Sequence, residues 1–266
     1  LPAGMPQSHM ALATDGKRFI WSVSGQRGPQ CSPAVTDAFV LDIETGRWSA
    51  LPPLPRARYA GTMQRWRNRL HVVGGALEDR YTAASDHWSL GDGETTWREE
   101  PPIPMGGMHR GSAVIGDRLY VFGGQQGDFV AIPGDSDYTC NPATKETYLP
   151  HAYVFDGSGW ARLPDLPVAV SHIEGSIVVV GNRALILGGQ AYKRDDTHEV
   201  ELTDVVQEFD ADAVTWSLRG HLPYRVKTGV AALHDGSLFF TAGQRDQGAD
   251  RPIAGEISVY SWRARL

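Results

Sequence analysis

With 266 residues, 41% of them hydrophobic, the chain can bury a substantial core, and 30 Gly with 17 Pro favour short strands and turns over long helices. A net charge of −6 and a pI near 5.8 give no basic footprint for nucleic acid. No apolar run approaches the roughly 20 residues that span a bilayer, and no signal-like segment opens the chain, so the expectation is a single all-β domain over residues 1–266.

One β-rich run closed by a pair of small residues returns five times: WSVSGQRGPQC at 21–31, HVVGGALEDR at 71–80, YVFGGQQGDFV at 120–130, LILGGQAYKR at 185–194 and FFTAGQRDQG at 239–248. The second small residues, Gly25, Gly75, Gly124, Gly189 and Gly243, are 50, 49, 65 and 54 positions apart. Trp48, Trp97, Trp160 and Trp216 keep the same beat, each a few residues before a Pro-bearing connector. These marks divide the chain into repeats of approximately 1–51, 52–100, 101–163, 164–219 and 220–266.

Within one repeat, HRGSAVIGDRLYVFGG (109–124) reads as two antiparallel strands joined by a tight turn at Gly116-Asp117. A longer loop follows, and AYVFDGSGWARL supplies a third strand, a turn and a Trp-bearing fourth. Four strands make one blade, and small residues at the end of the second strand suit a crowded centre.

A period near 50 with a doubled glycine resembles kelch repeats, which implies a kelch-type β-propeller. SDHWSL, GPQC, SHIE, LPYRVKT and FTAGQRDQG resemble, more specifically, plant kelch-repeat proteins of the membrane-anchored, lumen-facing type. That resemblance implies a location in the secretory lumen (Golgi) or outside the cell, with any membrane attachment through a segment absent from this chain. The last repeat stops at GEISVYSWRARL without a fourth strand, and LPAGMP at the start resembles a connector. The expectation is therefore five visible blades of six, the N-terminal blade missing; a five-bladed ring is the alternative.

In a propeller, the residue opening the first strand and the Gln after the glycine pair line one channel mouth. The openers read as His9, Tyr59, His109, His172 and Lys227, with Arg58, Arg110, Glu174 and Arg225 beside them. The glutamines are Gln26, Gln125, Gln190 and Gln244, with Ala76 breaking the series. Arg58, Tyr59, His109, Arg110, Gln125, His172, Glu174, Gln190, Arg225, Lys227 and Gln244 are the candidate ligand residues. Such a cationic mouth suits an anionic glycan or a glycoprotein, since charge-assisted bonds hold a carboxylate and amides address hydroxyls. The structural alternative is that these side chains cap carbonyls and brace connectors.

Two further readings stand beside recognition of a glycan. One is an epimerase or mutarotase resembling the kelch-type sialic acid mutarotases, with His and Glu174 exchanging protons. The other is a scaffold whose loops bind a protein segment. No catalytic residue is assigned, and no metal or other cofactor is expected. His9, His109 and His172 are imidazoles from different repeats, but neither the iron motif of the kelch specifier proteins nor the Tyr/Cys copper arrangement of galactose oxidase is evident.

Asp86 and His87 in DHWSL suggest a triad fragment, yet no strained nucleophile elbow accompanies them, and an anchoring hydrogen bond is the expected role. The stretches 125–150 and 190–203 read as long loops, the first carrying Phe129, Tyr138 and Tyr148 as a lid or sugar platform. Cys31 and Cys140 permit at most one disulfide, and by themselves read equally as two buried thiols. Both follow their glycine pair and emerge on one face, and the resembled plant proteins carry cysteines in both loops, so a Cys31–Cys140 bond is expected. No glycosylation sequon supports secretion independently, since Asn68, Asn141 and Asn182 all fail.

Overall fold

The computed structural model describes residues 1–2, 4–132, 139–141 and 144–265, and among these there are strands and turns but no helix. Two compact units are formed. The first comprises 1–108, 126–146 and 158–160; the second comprises 109–125, 147–157 and 161–266.

Each repeat folds as an antiparallel sheet whose strands neighbour one another in chain order. The first sheet contains Ala11–Thr14, Phe19–Val23, Ala38–Asp42 and Arg47–Leu51; the second contains Thr62–Trp66, Arg69–Val73, His87–Gly91 and Arg98–Glu99. The third runs through Gly111–Ile115, Arg118–Phe122, Ala152–Phe155 and Trp160–Leu163. The fourth holds Ile177–Val180, Arg183–Lys193, Val200–Asp210 and Thr215–His221, its last strand reaching two residues past the expected repeat boundary at 219. The fifth has three strands among the described residues, Val230–His234, Ser237–Thr241 and Ser261–Arg265, as the missing fourth strand in the sequence anticipates.

Inner strands are buried on both faces, which is why they read as continuous apolar runs: Val121 and Phe122 point to opposite sides and both are fully enclosed. In the first unit Trp21, Leu54, Met63 and Trp88 interlock. In the second, Phe122, Ile173, Ile186 and Phe209 form one cluster, and Leu187, Val226 and Phe240 another. Burying a side chain of this size contributes about 1.5–3 kcal/mol.

The glycine pair has a conformational cause. Both residues of every pair have positive φ, from Ser24 (58°) and Gly25 (90°) to Ala242 (60°) and Gly243 (87°). The first position tolerates Ser or Ala because it lies in the left-handed region. The second leaves no room: a Cβ on Gly75 would lie 2.6 Å from the Tyr59 carbonyl oxygen.

The tryptophan beat also has a cause, one the sequence does not disclose. Trp97 donates its indole N–H to the Pro52 carbonyl (2.9 Å), Trp160 to that of Pro101 (2.8 Å) and Trp216 to that of Pro164 (2.9 Å). Each indole therefore reaches back to the connector preceding its own repeat, tying neighbouring repeats at their outer strands.

Strand pairing extends into both stretches expected as long loops, among the described residues. Residues 190–203 form mostly an extension of two 11-residue strands, with bulges near Gly189 and Gln190, closed by the Arg194 to Glu199 backbone bond. This corrects the expectation of a loop there; the pairing continues past the glycine pair because the bulges absorb the register change. In the other stretch Val130–Ile132 pairs with Thr139–Asn141. Tyr138 lies outside the described residues.

Candidate functional site

Backbone conformation fixes the true register of the repeats. His9, Ala60, His109, His172 and Thr228 all lie at φ between 47° and 57°. Within the first unit Ala60 N–H donates to the His9 carbonyl, and within the second His172 donates to His109 and Thr228 to His172, at 2.8–3.0 Å. Tyr59 and Lys227 therefore stand one residue before the positions equivalent to the histidines. Aligning the repeats by their most polar residue slips the register because Ala60 and Thr228 occupy those places.

The glutamines serve mainly as braces between consecutive repeats. Gln26 accepts from Arg80 Nη1 (3.0 Å), Gln125 from the Ser171 hydroxyl (2.6 Å) and Gln190 from Lys227 Nζ (2.9 Å), each through Oε1. Gln26, Gln125 and Gln190 are buried, so their amides are spent within the protein. Gln244 differs: half-buried, it donates weakly to the Gly255 carbonyl at 3.5 Å.

In the first unit Arg58 is 2% exposed, forms an ion pair with Asp86, donates to the Ala57 carbonyl and lies 4.9 Å above the Trp88 ring. Tyr59 is enclosed and donates its hydroxyl to the Ser32 carbonyl. Neither presents its polar end to solvent, so the candidate role of both as surface ligand contacts gives way to bracing. Arg80, which the sequence did not single out, joins Gln26 to Asp128 (2.9 Å) and lies over Tyr59. Beside it the Cys31–Cys140 disulfide is formed, with Cα atoms 5.5 Å apart, as expected.

Asp86 immediately precedes the strand His87–Gly91, and the two side chains meet different partners. Asp86 turns to Arg58, while His87 Nε2 meets His71 Nδ1 at 2.9 Å. A cleft of about 880 Å³ opens between the loop 34–37, the connector 55–58 and the loop 77–79. Exposed Arg56, Leu77 and Glu78 contribute to its walls.

In the second unit the structure brings His109, His172 and Glu174 together. The imidazoles stack 3.6 Å apart and nearly parallel, and His109 Nδ1 lies 2.7 Å from Glu174 Oε1. His172 Nδ1 meets Ser171 Oγ at 3.0 Å. Because the Ser171 proton is directed at Gln125, the imidazole donates to Oγ rather than abstracting from it; the fully buried serine is not an activated nucleophile. Ser8 and His9 repeat the Ser–His contact at 3.0 Å, a dipeptide visible twice in the sequence.

The remaining candidates divide. Lys227 and Gln190 form one group with Tyr148, whose hydroxyl accepts from Gln190 Nε2 at 2.5 Å. Arg225 is drawn to the buried Asp246 and to the Ala249 carbonyl. Arg110 is 1% exposed and enclosed against Tyr153, so it offers a surface ligand nothing. Of the cations expected at the mouth, Arg58 pairs with Asp86 and Arg225 with Asp246, while His109 meets Glu174, pairings that only the fold decides. Among the described residues no three His, Cys, Asp or Glu side chains come together as metal ligands.

Comparison with known proteins gives the class. No family model matches the chain. It is 43% identical over 270 residues to a kelch repeat-containing protein of Arabidopsis thaliana, covering 100% of this chain and 63% of that one. It is 22% identical to beta-scruin of Limulus polyphemus (77% of this chain, 21% of the relative) and 26% identical to the kelch-like protein terF of Aspergillus terreus (81% and 45%). The chain thus spans less than two thirds of each of these relatives. Among solved structures, that of YjhT superposes with a TM-score of 0.69 at 20% identity, covering 92% of this chain and 75% of the other.

Proposed function

The chain carries kelch repeats in a β-propeller fold and is related over its whole length to a plant kelch-repeat protein, and from that premise we propose that it is a recognition module for a protein partner. The partner presents an extended segment to the cleft in the first unit. Kelch-repeat relatives support an interaction role. The observation that carries the reading is the cleft itself: about 880 Å³, within the ~300–1,000 Å³ typical of ligand sites, with an exposed cation, an anion and an apolar side chain on its walls. Such a wall suits a peptide of mixed charge, with Leu77 covering an apolar residue and Arg56 and Glu78 setting its direction.

Peptides selected from a random display library on the intact protein test this. Those bound at the cleft lose at least tenfold in affinity on the double charge reversal Arg56→Glu/Glu78→Arg, with the circular dichroism unchanged. Selected peptides that are all indifferent to these substitutions and to Leu77→Asp would sink the proposal.

An anionic carbohydrate remains the finer reading for the second unit, favoured by half-buried Lys227 held beside Gln190, with Gln244 also half-buried. A uronic-acid and sialic-acid glycan array supports it through binding that Lys227→Met removes. We also place the protein in the secretory lumen or outside the cell, a reading supported by the Cys31–Cys140 bond, which needs an oxidising compartment. Thiol labelling of the protein in intact cells decides: free cysteines in the steady state would refute this location.

A further inference from the structure

A groove of about 830 Å³ lies wholly within the second unit, along the fourth sheet and against Leu238 of the fifth. Val180, Leu185, Val206 and Leu238 give it an apolar floor.

Two features of the fourth repeat put charge into this groove. Leu185 stands three residues before its glycine pair, as Trp21, His71 and Tyr120 do before theirs, and the third-strand residues opposite those are Val40, Ser89 and Val154. Opposite Leu185 is Glu208. Its side chain is 10% exposed, and burying an ion to this degree is unfavourable unless other charges accompany it. In the neighbouring strand Gly220 faces Val206 and Leu218 faces Gln207, so Arg219 is the extra residue of a bulge. A bulge re-aims a side chain, and here Arg219 Nε comes to 3.2 Å from Glu208 Oε2.

Charge varies along the groove. At one end Asp210 and Asp212 stand beside Arg183, which donates Nε to Asp210 at 3.1 Å. The backbone N–H groups of Ala213 and Asp212 hold the Asp210 carboxyl below the usual carboxylate range, so two carboxylates outweigh one guanidinium there. Residues 206, 208 and 210 share one face of a strand rising about 3.4 Å per residue, which puts the Val206 end roughly 13 Å away. Arg219 and His221 belong to that end. Arg219 is exposed, and among the described residues its terminal nitrogens, Nη1 and Nη2, donate no hydrogen bond.

We propose that this groove binds a short zwitterionic peptide with apolar side chains, its ammonium group at Asp210 and Asp212 and its carboxylate on the Arg219 fork. Three extended residues span ~10 Å, a length the groove accommodates. Charge-assisted hydrogen bonds at the two ends fix the direction, and the side chains cover the apolar floor. The groove shares no residue with the cleft of the first unit, so this site does not rest on the recognition role proposed above.

Trileucine is the probe. Isothermal titration of the intact protein should show saturable binding, weakened about tenfold or more by N-acetylation and likewise by C-terminal amidation. Arg219→Met should bind the amide as well as the free acid while still disfavouring the acetylated peptide. Asp212→Asn should narrow the penalty for acetylation and leave that for amidation as in wild type. Both replaced residues are exposed, and Arg183 stays 3.8 Å from Glu208 in either variant, which protects the fold. No saturable binding of trileucine, a wild-type affinity indifferent to either cap, or an unchanged preference for the free acid in Arg219→Met would overturn the proposal.

Discussion

His71 Nδ1 lies 2.9 Å from His87 Nε2, both imidazoles being enclosed in the second sheet between Trp66 and Trp160. Burial lowers the His71 pKa to about 3, with the neighbouring His87 adding to the effect, and burial lowers that of His87 to about 4.

This pair sets an acid sensitivity. Unfolded imidazoles titrate near 6.5, so between pH 6.5 and about 4 the unfolded state binds more protons than the folded one, and stability falls as pH falls. Each imidazole contributes a slope of up to ~1.4 kcal/mol per pH unit. Asp15, Asp42 and Glu94, held at about 2 by hydrogen bonds, add their loss only below the ordinary carboxylate range. Urea midpoints measured from pH 7 to pH 4.5 should drop steadily in wild type and less steeply in His71→Gln. A flat wild-type profile over that interval contradicts the assignment.

Breaking the Arg58–Asp86 pair should be costly although neither residue is apolar. Asp86→Asn leaves an enclosed guanidinium over Trp88 without its counter-charge; with the carboxylate partly exposed, the expected loss is about 2–3 kcal/mol, below the range for fully buried pairs. Replacing exposed Arg56 by Ala should change stability by no more than ~0.5 kcal/mol. Equal effects in denaturant unfolding would show that Arg58 is not a brace.

Reduction of Cys31–Cys140 should destabilise the protein. The bond closes 109 residues, for which chain entropy gives about 4–5 kcal/mol before other terms are subtracted. Hydrogen exchange after treatment with a phosphine should rise in 26–37, while the third and fourth sheets keep their protection. Exchange that is unchanged near Cys31 would mean that the Arg80–Asp128 and Arg80–Gln26 bonds hold these loops by themselves.

The two members of a glycine pair should respond differently. Gly75→Ala forces a β-carbon against the Tyr59 carbonyl at φ 91° and should cost ~2–4 kcal/mol. Ala242→Gly, at φ 60°, relieves a mild strain and should shift stability by less than ~1 kcal/mol. Thermal unfolding of the two variants checks the contrast.

The sequence by itself determined the strand order, the repeat period and the class of fold, because each rests on local rules. Positive φ at Gly25, Gly75, Gly124, Gly189 and Gly243 demands glycine once in every repeat, and two-sided burial demands apolar runs such as Val121–Phe122. The disulfide was legible only with the help of resemblance. What tertiary structure alone decided is the fate of each polar side chain. Gln125, Gln190 and Arg58 have the composition of a binding surface, yet Ser171, Lys227 and Asp86 claim them, from 46, 37 and 28 residues away. Charge and hydrogen-bonding capacity are written in the sequence, but whether they face solvent or a partner inside the protein depends on which repeats meet.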